Sequence, residues 1–479
     1  MTANQSAAPP RLHVGVARAD ITPPAGITPV IWGAQLNARA EGVDMPLYAT
    51  ALALRDAETG TTAIIVDLDL LLLPFPIADS FRRAVSDLSG VPFDHVRVSA
   101  THGHSGPSLA PTWVKEGGEF IAAYVESLPA RVAGAAWQAL RAAQPARVSF
   151  GAGHSSLAVN RRQRTSGGRI IVGRNPDGFV DRTVRVLRFD DARELPLASV
   201  VHYACHPILM AWENRVITPD FPGPMRQTVE HVTGAPCLFL QGCAGNSAPA
   251  TVFTEGHTGD PRYYRRAGAL LGAEAARVFL DLERPHRRPH FSRVLESGAP
   301  LGVFEAGLLE EPDGTLRVAT VRVPLPVRPF PPPLEALAAA AAARDELDRI
   351  RAEHRSDHAE PVHLANVRAK HAAMRAGHAH LTGGSSQVEI ELQAIRIGPT
   401  ALLAAPMELF GELGLAISEA SPFPWTAVSG YSNGSAGYLP TPEAHDQGGY
   451  EVETASPFTR EAASTFIQAA GQLVNRLVD

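Results

Sequence analysis

His102 and His104 stand one residue apart in the stretch THGHSGPS (101 to 108), which is rich in Gly and Pro and has no helical periodicity. Imidazoles serve two chemistries near neutral pH, metal ligation and proton transfer. If this segment is extended, residues i and i+2 project to the same side, so both rings can face one cavity. One can then bind a metal while the other handles a proton. An isolated histidine of this kind is more often a hydrogen-bonded structural residue, so the pair gains weight only from what accompanies it.

Three other apolar runs end in a similar way. VVHYAC leads into His206 and Pro207, CLFLQ into the glycine-rich GCAGNSAP (242 to 249), and ALLAAP ends just before Glu408. Strand ends of α/β sheets meet in one crevice, where such folds bind ligands, so distant positions can converge there. Two histidines and a carboxylate, His102, His206 and Glu408, make a zinc set with a position left for water.

Competing motifs are weaker. GYSNG (430 to 434) matches a GxSxG nucleophile elbow, but Ser432 would need an acid and then a histidine downstream, and no histidine follows Asp446. The histidines of the Ala-rich segment include His354 and His358 at an i, i+4 helical spacing. No carboxylate is set between them as in HExxH, so they read as a solvated helix face. Cys243 reads as a small buried filler.

The elements that must position these residues are strands alternating with helices. TTAIIVDLDLLLL (61 to 73), HVRVSA (95 to 100), LASVVHYAC (197 to 205), PCLFLQ (236 to 241), VEIELQAIRI (388 to 397) and ALLAAP (401 to 406) read as strands, and 119 to 140 reads as a helix. The fold class expected is mixed α/β (α+β), with mixed sheets flanked by helices and the site at strand ends. Residues 331 to 384 are Ala-rich, charged and helical in pattern, bounded by PFPPP and GGSS. They read as a helical hairpin inserted into a single unit spanning 1 to 479.

Composition sets the class of partner. The 479 residues are 45% hydrophobic and 19% charged, with a net charge of -6 and no long run of one sign. Nucleic acid and an anionic membrane are therefore not the expected partners. No apolar run reaches the ~20 residues of a membrane span, and the N-terminus has no export-signal pattern. The three cysteines lack zinc-module spacing and suggest a reducing compartment. Together these predict a cytoplasmic protein with no stable membrane insertion; whether it forms a homo-oligomer stays open.

The motifs in order, from VGVARADITPP (14 to 24) through ATHGHSGPS, AVNRRQRT (158 to 165), ACHPILM, LFLQGCAGNSAP and APMELFGELG to GYLPTPEAHDQGGYE (437 to 451), resemble the neutral/alkaline ceramidases, zinc enzymes that cleave an amide bond. The resemblance implies His102, His206, Glu408 and Tyr438 as zinc ligands and His104 as the proton-handling histidine. It implies Arg161 as a substrate-side contact and Tyr450 as donor to the scissile carbonyl, while Asn246 and Ser247 belong to the substrate-side loop. The family serine of that loop is replaced by Ala248. The expectation is a catalytic unit without the immunoglobulin-like C-terminal domain of the secreted members.

These readings predict a hydrolase that uses zinc-activated water on a small-molecule amide more soluble than ceramide. The alternatives are a zinc-dependent esterase or lactonase, and a non-catalytic zinc-containing relative that only binds ligand.

Overall fold

Alternation along the strands divides the apolar side chains between two opposite faces, and this division builds the molecule's layers. On strand Tyr48–Asp56, Leu52 and Leu54 face one core while Ala49, Ala51 and Ala53 face another. On strand Gln387–Ile397, Ile395 and Ile397 face the first of these cores while Ile390, Leu392 and Ala394 turn away from it. That shared core lies between an eight-stranded and a four-stranded sheet. The computed structural model describes residues 10–29, 39–109, 117–283, 286–308, 312–354 and 359–478.

Helices cover the outer faces. Phe75–Ser89 and Ile121–Arg141 pack on one half of the larger sheet, and Pro222–Thr233 and Pro261–Asp281 on the other half. Gly411–Glu419 and Ala462–Asn475 cover the smaller sheet. The layers therefore run helix, sheet, sheet, helix, and both sheets mix parallel and antiparallel ladders, as the sequence predicts for the fold class. No helix among the described residues is long and apolar enough to cross a membrane.

The larger sheet consists of two halves. In the middle of its strand order, Leu12–Asp20 and Gln144–His154 pair only through His13 with Pro145 and Val14 with Gln144. The far edge strand, Cys237–Gln241, is tied back to strand Thr62–Leu68 by the Phe239 amide, which donates to Asp67 Oδ2 at 2.9 Å. Buried Arg226 completes the tie, reaching Asp67 Oδ2 at 3.1 Å and Asp69 Oδ2 at 2.5 Å. This places the end of Val96–Ala100, which leads to His102, beside the end of Pro196–Tyr203, which leads to His206.

Two local expectations change. The run 61 to 73 is a strand only as far as Leu68, because Asp69 and the following turn redirect the chain. The Ala-rich segment forms helices Pro333–Glu353 and Glu360–Thr382, packed together around Leu347, Val362, Ala365 and Ala369. His354 is the C-cap of the first helix, with extended backbone, so it does not share a helix face with His358, which lies outside the described residues. His378 is buried against Phe330 and is not part of a solvated face.

Candidate metal centre and active site

His102 does not sit in an extended segment. Its φ is +67°, a left-handed conformation uncommon for a side chain of this kind. Three backbone bonds fix the turn: Ala100 N to Tyr431 O (2.9 Å), Thr101 N to Leu68 O (2.8 Å) and His102 N to Leu70 O (3.0 Å). The turn, not a strand's period of two, brings His104 round to the same cavity. His104 N then donates to Pro207 O at 3.1 Å, which couples the loop to the one carrying His206.

Glu408 arrives from the other sheet. It follows strand Thr400–Ala404 and starts the two-residue strand Glu408–Leu409, which runs parallel to Tyr438–Leu439. The loop after Cys237–Gln241 approaches so closely that a Cβ on Gly245 would lie 2.6 Å from the Glu408 carbonyl oxygen. Only glycine fits there.

The side chains then converge. His102 Nδ1 lies 2.8 Å from Leu71 O, and His206 Nδ1 lies 2.7 Å from Ala244 O. A carbonyl only accepts, so each Nδ1 carries a proton and each ring turns its Nε2 to the cavity. Glu408 Oε2 is 3.3 Å from both of these nitrogens. It is buried and receives no hydrogen bond. Burial, then the charge of Arg161, holds His206 down to about 3, so it is neutral at physiological pH. Two imidazole nitrogens and an unpartnered carboxylate oxygen converging in a buried pocket fit a small cation.

His104 Nε2 lies 3.3 Å from His102 Nε2, and the ligand atoms of His102, His104 and His206 all fall within 4.8 Å of one another. His104 is the most open of the three, while His102 and His206 are buried. Burial, then the adjacent imidazoles, holds His104 well below its ordinary value, so it too is neutral. The Tyr438 hydroxyl is 3.3 Å from His206 Nε2 and accepts from Arg161 Nη2 at 3.0 Å. Tyr450 stands behind it, rings edge to face at 5.9 Å, with 39% of its surface exposed.

Other residues named from sequence serve the scaffold. Asn246 donates to Glu412 Oε2 at 2.7 Å and accepts from the Gly411 amide at 3.0 Å, fastening the loop to the start of helix Gly411–Glu419. Ser247 Oγ is buried and donates to Ala204 O at 2.9 Å, while its carbonyl accepts from the His206 amide at 3.4 Å. Ala248 packs with Ile208 and Val252.

Two residues escaped the sequence reading. Buried Glu451 accepts from Arg161 Nε at 2.9 Å and Arg162 Nη1 at 2.8 Å, and so aims Arg161 at Tyr438. Its neighbour Tyr450 was the available signal. Tyr431, with φ +54°, lays its buried ring 4.2 Å from that of His102. It lies inside GYSNG, whose Ser432 hydroxyl is spent on Ser99 at 2.8 Å and on Gly430 O.

Residues 12–238 match the model for neutral/alkaline non-lysosomal ceramidases, N-terminal region. The chain is 25% identical over 517 residues to a neutral ceramidase of Pseudomonas aeruginosa, covering 97% of this chain and 72% of that protein. Among solved structures it resembles a ceramidase complexed with C2 (TM-score 0.68, 18% identity) and the neutral ceramidase from Pseudomonas aeruginosa (TM-score 0.67, 20% identity). Each match covers 98% of this chain and 75% of the other.

Proposed function

We propose that this chain, which resembles the neutral/alkaline ceramidases over residues 12–238 and shares their fold, is a zinc-dependent hydrolase that cleaves an N-acyl amide bond with activated water. The observation that carries the metal is the buried, unpartnered Oε2 of Glu408 facing the Nε2 atoms of His102 and His206. His102, His206 and Glu408 would hold the ion, with the Tyr438 hydroxyl, 3.3 Å from His206 Nε2, as the further candidate ligand. Zinc in such a set would supply Lewis acidity and acidify the attacking water towards neutral pH.

The protein's own groups do the rest. His104, neutral and open to the cavity, takes the proton of the attacking water and passes it to the leaving nitrogen as the C–N bond breaks. Tyr450 offers its hydroxyl to the carbonyl oxygen as negative charge develops there. Arg161, locked by Glu451, keeps Tyr438 oriented and its charge close to that oxygen. Ser247 has its hydroxyl committed to a backbone carbonyl and takes no part as a nucleophile.

A soluble amide suits this chain better than a bilayer lipid, because a net charge of -6 without basic runs gives little hold on an anionic membrane. The test is metal analysis of the purified protein followed by turnover of short N-acyl amines, micellar ceramide and matched esters. Zinc with amide turnover supports the reading. Zinc with ester turnover alone would make it an esterase, and zinc with no turnover a binding protein.

A further inference from the structure

Tyr431 joins the two sides of the site through its backbone. Its amide donates to Met407 O at 3.2 Å, one residue before Glu408, and its carbonyl accepts from the Ala100 amide at 2.9 Å, two residues before His102. The φ of +54° at this position is uncommon for a bulky side chain, and such strain persists where the surroundings over-determine it. The ring is wedged accordingly. It lies 4.2 Å from that of His102, tilted by 36°, and meets that of His206 edge to face at 6.2 Å.

The hydroxyl is the unexplained part of this side chain. Tyr431 is 2% exposed, and its oxygen is buried without a hydrogen bond, as is Glu408 Oε2. A phenylalanine would fill the same space without burying an unpaired O–H, so packing gives no reason for the oxygen. Burial also closes it to substrate, in contrast to Tyr450. Of the groups that act on it most strongly, Arg161 can only donate, and the Cys243 thiol is turned to Val428 O at 3.3 Å. The Glu408 carboxylate is the acceptor that remains. Burial, then that carboxylate, holds the phenol well above its ordinary value, so it keeps a proton to donate.

We propose that Tyr431 is a positioning residue for the metal site: with the site loaded, its O–H donates to the Glu408 carboxylate and keeps it turned towards His102 and His206. This role rests on the reading of that pocket as a metal centre. A ligating carboxylate held by an outer hydrogen bond presents its lone pair in one direction, and loss of such a bond weakens metal binding.

Tyr431→Phe tests this, because it removes the oxygen and keeps the ring. Zinc affinity of the full chain, measured by competition with a chromophoric chelator, should fall about 10-fold to 100-fold. The Tm of the chelator-stripped variant should equal or slightly exceed that of stripped wild type, because the fold loses no hydrogen bond. The rise in Tm on adding zinc should shrink in step. A purely structural tyrosine gives the reverse pattern, a lower Tm with zinc affinity intact, and that result overturns the proposal. Wild type and Tyr431→Phe binding zinc equally tightly overturns it as well, while leaving the metal centre standing. A wild type that takes up no zinc overturns the metal centre and this role with it. Tyrosinate absorption that appears on adding zinc to wild type but not to Tyr431→Phe would make the phenol a ligand and overturn the donor role.

Discussion

Glu408 Oε2 stands 3.3 Å from His206 Nε2 in a buried pocket, and burial keeps that imidazole neutral. The imidazole has its one proton on Nδ1, where it bonds to the Ala244 carbonyl, and the carboxylate is ionised. Two lone pairs held this close in a buried site repel unless a cation lies between them.

Metal content checks that relationship directly. The protein is expected to carry about one zinc per chain, and His102→Ala should empty the site and abolish turnover. Full zinc occupancy in the variant would remove His102 from the ligand set.

His104 separates ligation from proton transfer. Its ring is near enough to His102 to be counted among the metal ligands, yet it is the most open of the three. His104→Ala should keep zinc and lose about 10²-fold to 10⁴-fold in kcat. Loss of zinc along with activity would make it a fourth ligand.

Ser247 is bonded to the Ala204 carbonyl, so removing its hydroxyl deletes a buried hydrogen bond and no chemistry. Ser247→Ala should cost about 1 kcal/mol of stability by urea denaturation and at most roughly tenfold in rate. An acyl adduct on Ser247, seen by mass spectrometry after rapid quenching, would replace activated water with a serine nucleophile.

Glu451 holds two buried guanidinium groups at once. Glu451→Gln should cost about 3 to 5 kcal/mol of stability, because Arg161 and Arg162 lose their only buried carboxylate partner among the described ion pairs. It should also weaken zinc affinity about 10-fold to 100-fold by loosening Tyr438. Unchanged affinity in the folded variant would uncouple the Arg161 and Tyr438 pair from the metal.

Which residue types could meet was legible in the order of residues along the chain. Apolar runs of strand character ending in His102, His206 and Glu408 are local patterns, and alternation along each run fixes a mixed α/β fold with two-faced sheets. The pairing of His102 with His104 was legible as well, but for the wrong geometric reason. A left-handed residue is set by bonds to Leu68, Leu70 and Tyr431, and no local pattern announces it.

That three strand ends from separate β units meet at one point is set by long-range contacts. The tie of Asp67 and Asp69 to Arg226 and the Phe239 amide joins residues more than 150 positions apart, and loop closure over such distances leaves no trace in composition or period. The same holds for Glu451 and Tyr431. A buried carboxylate or phenol acquires its role from the groups packed against it, and those groups are neighbours in space and not in sequence.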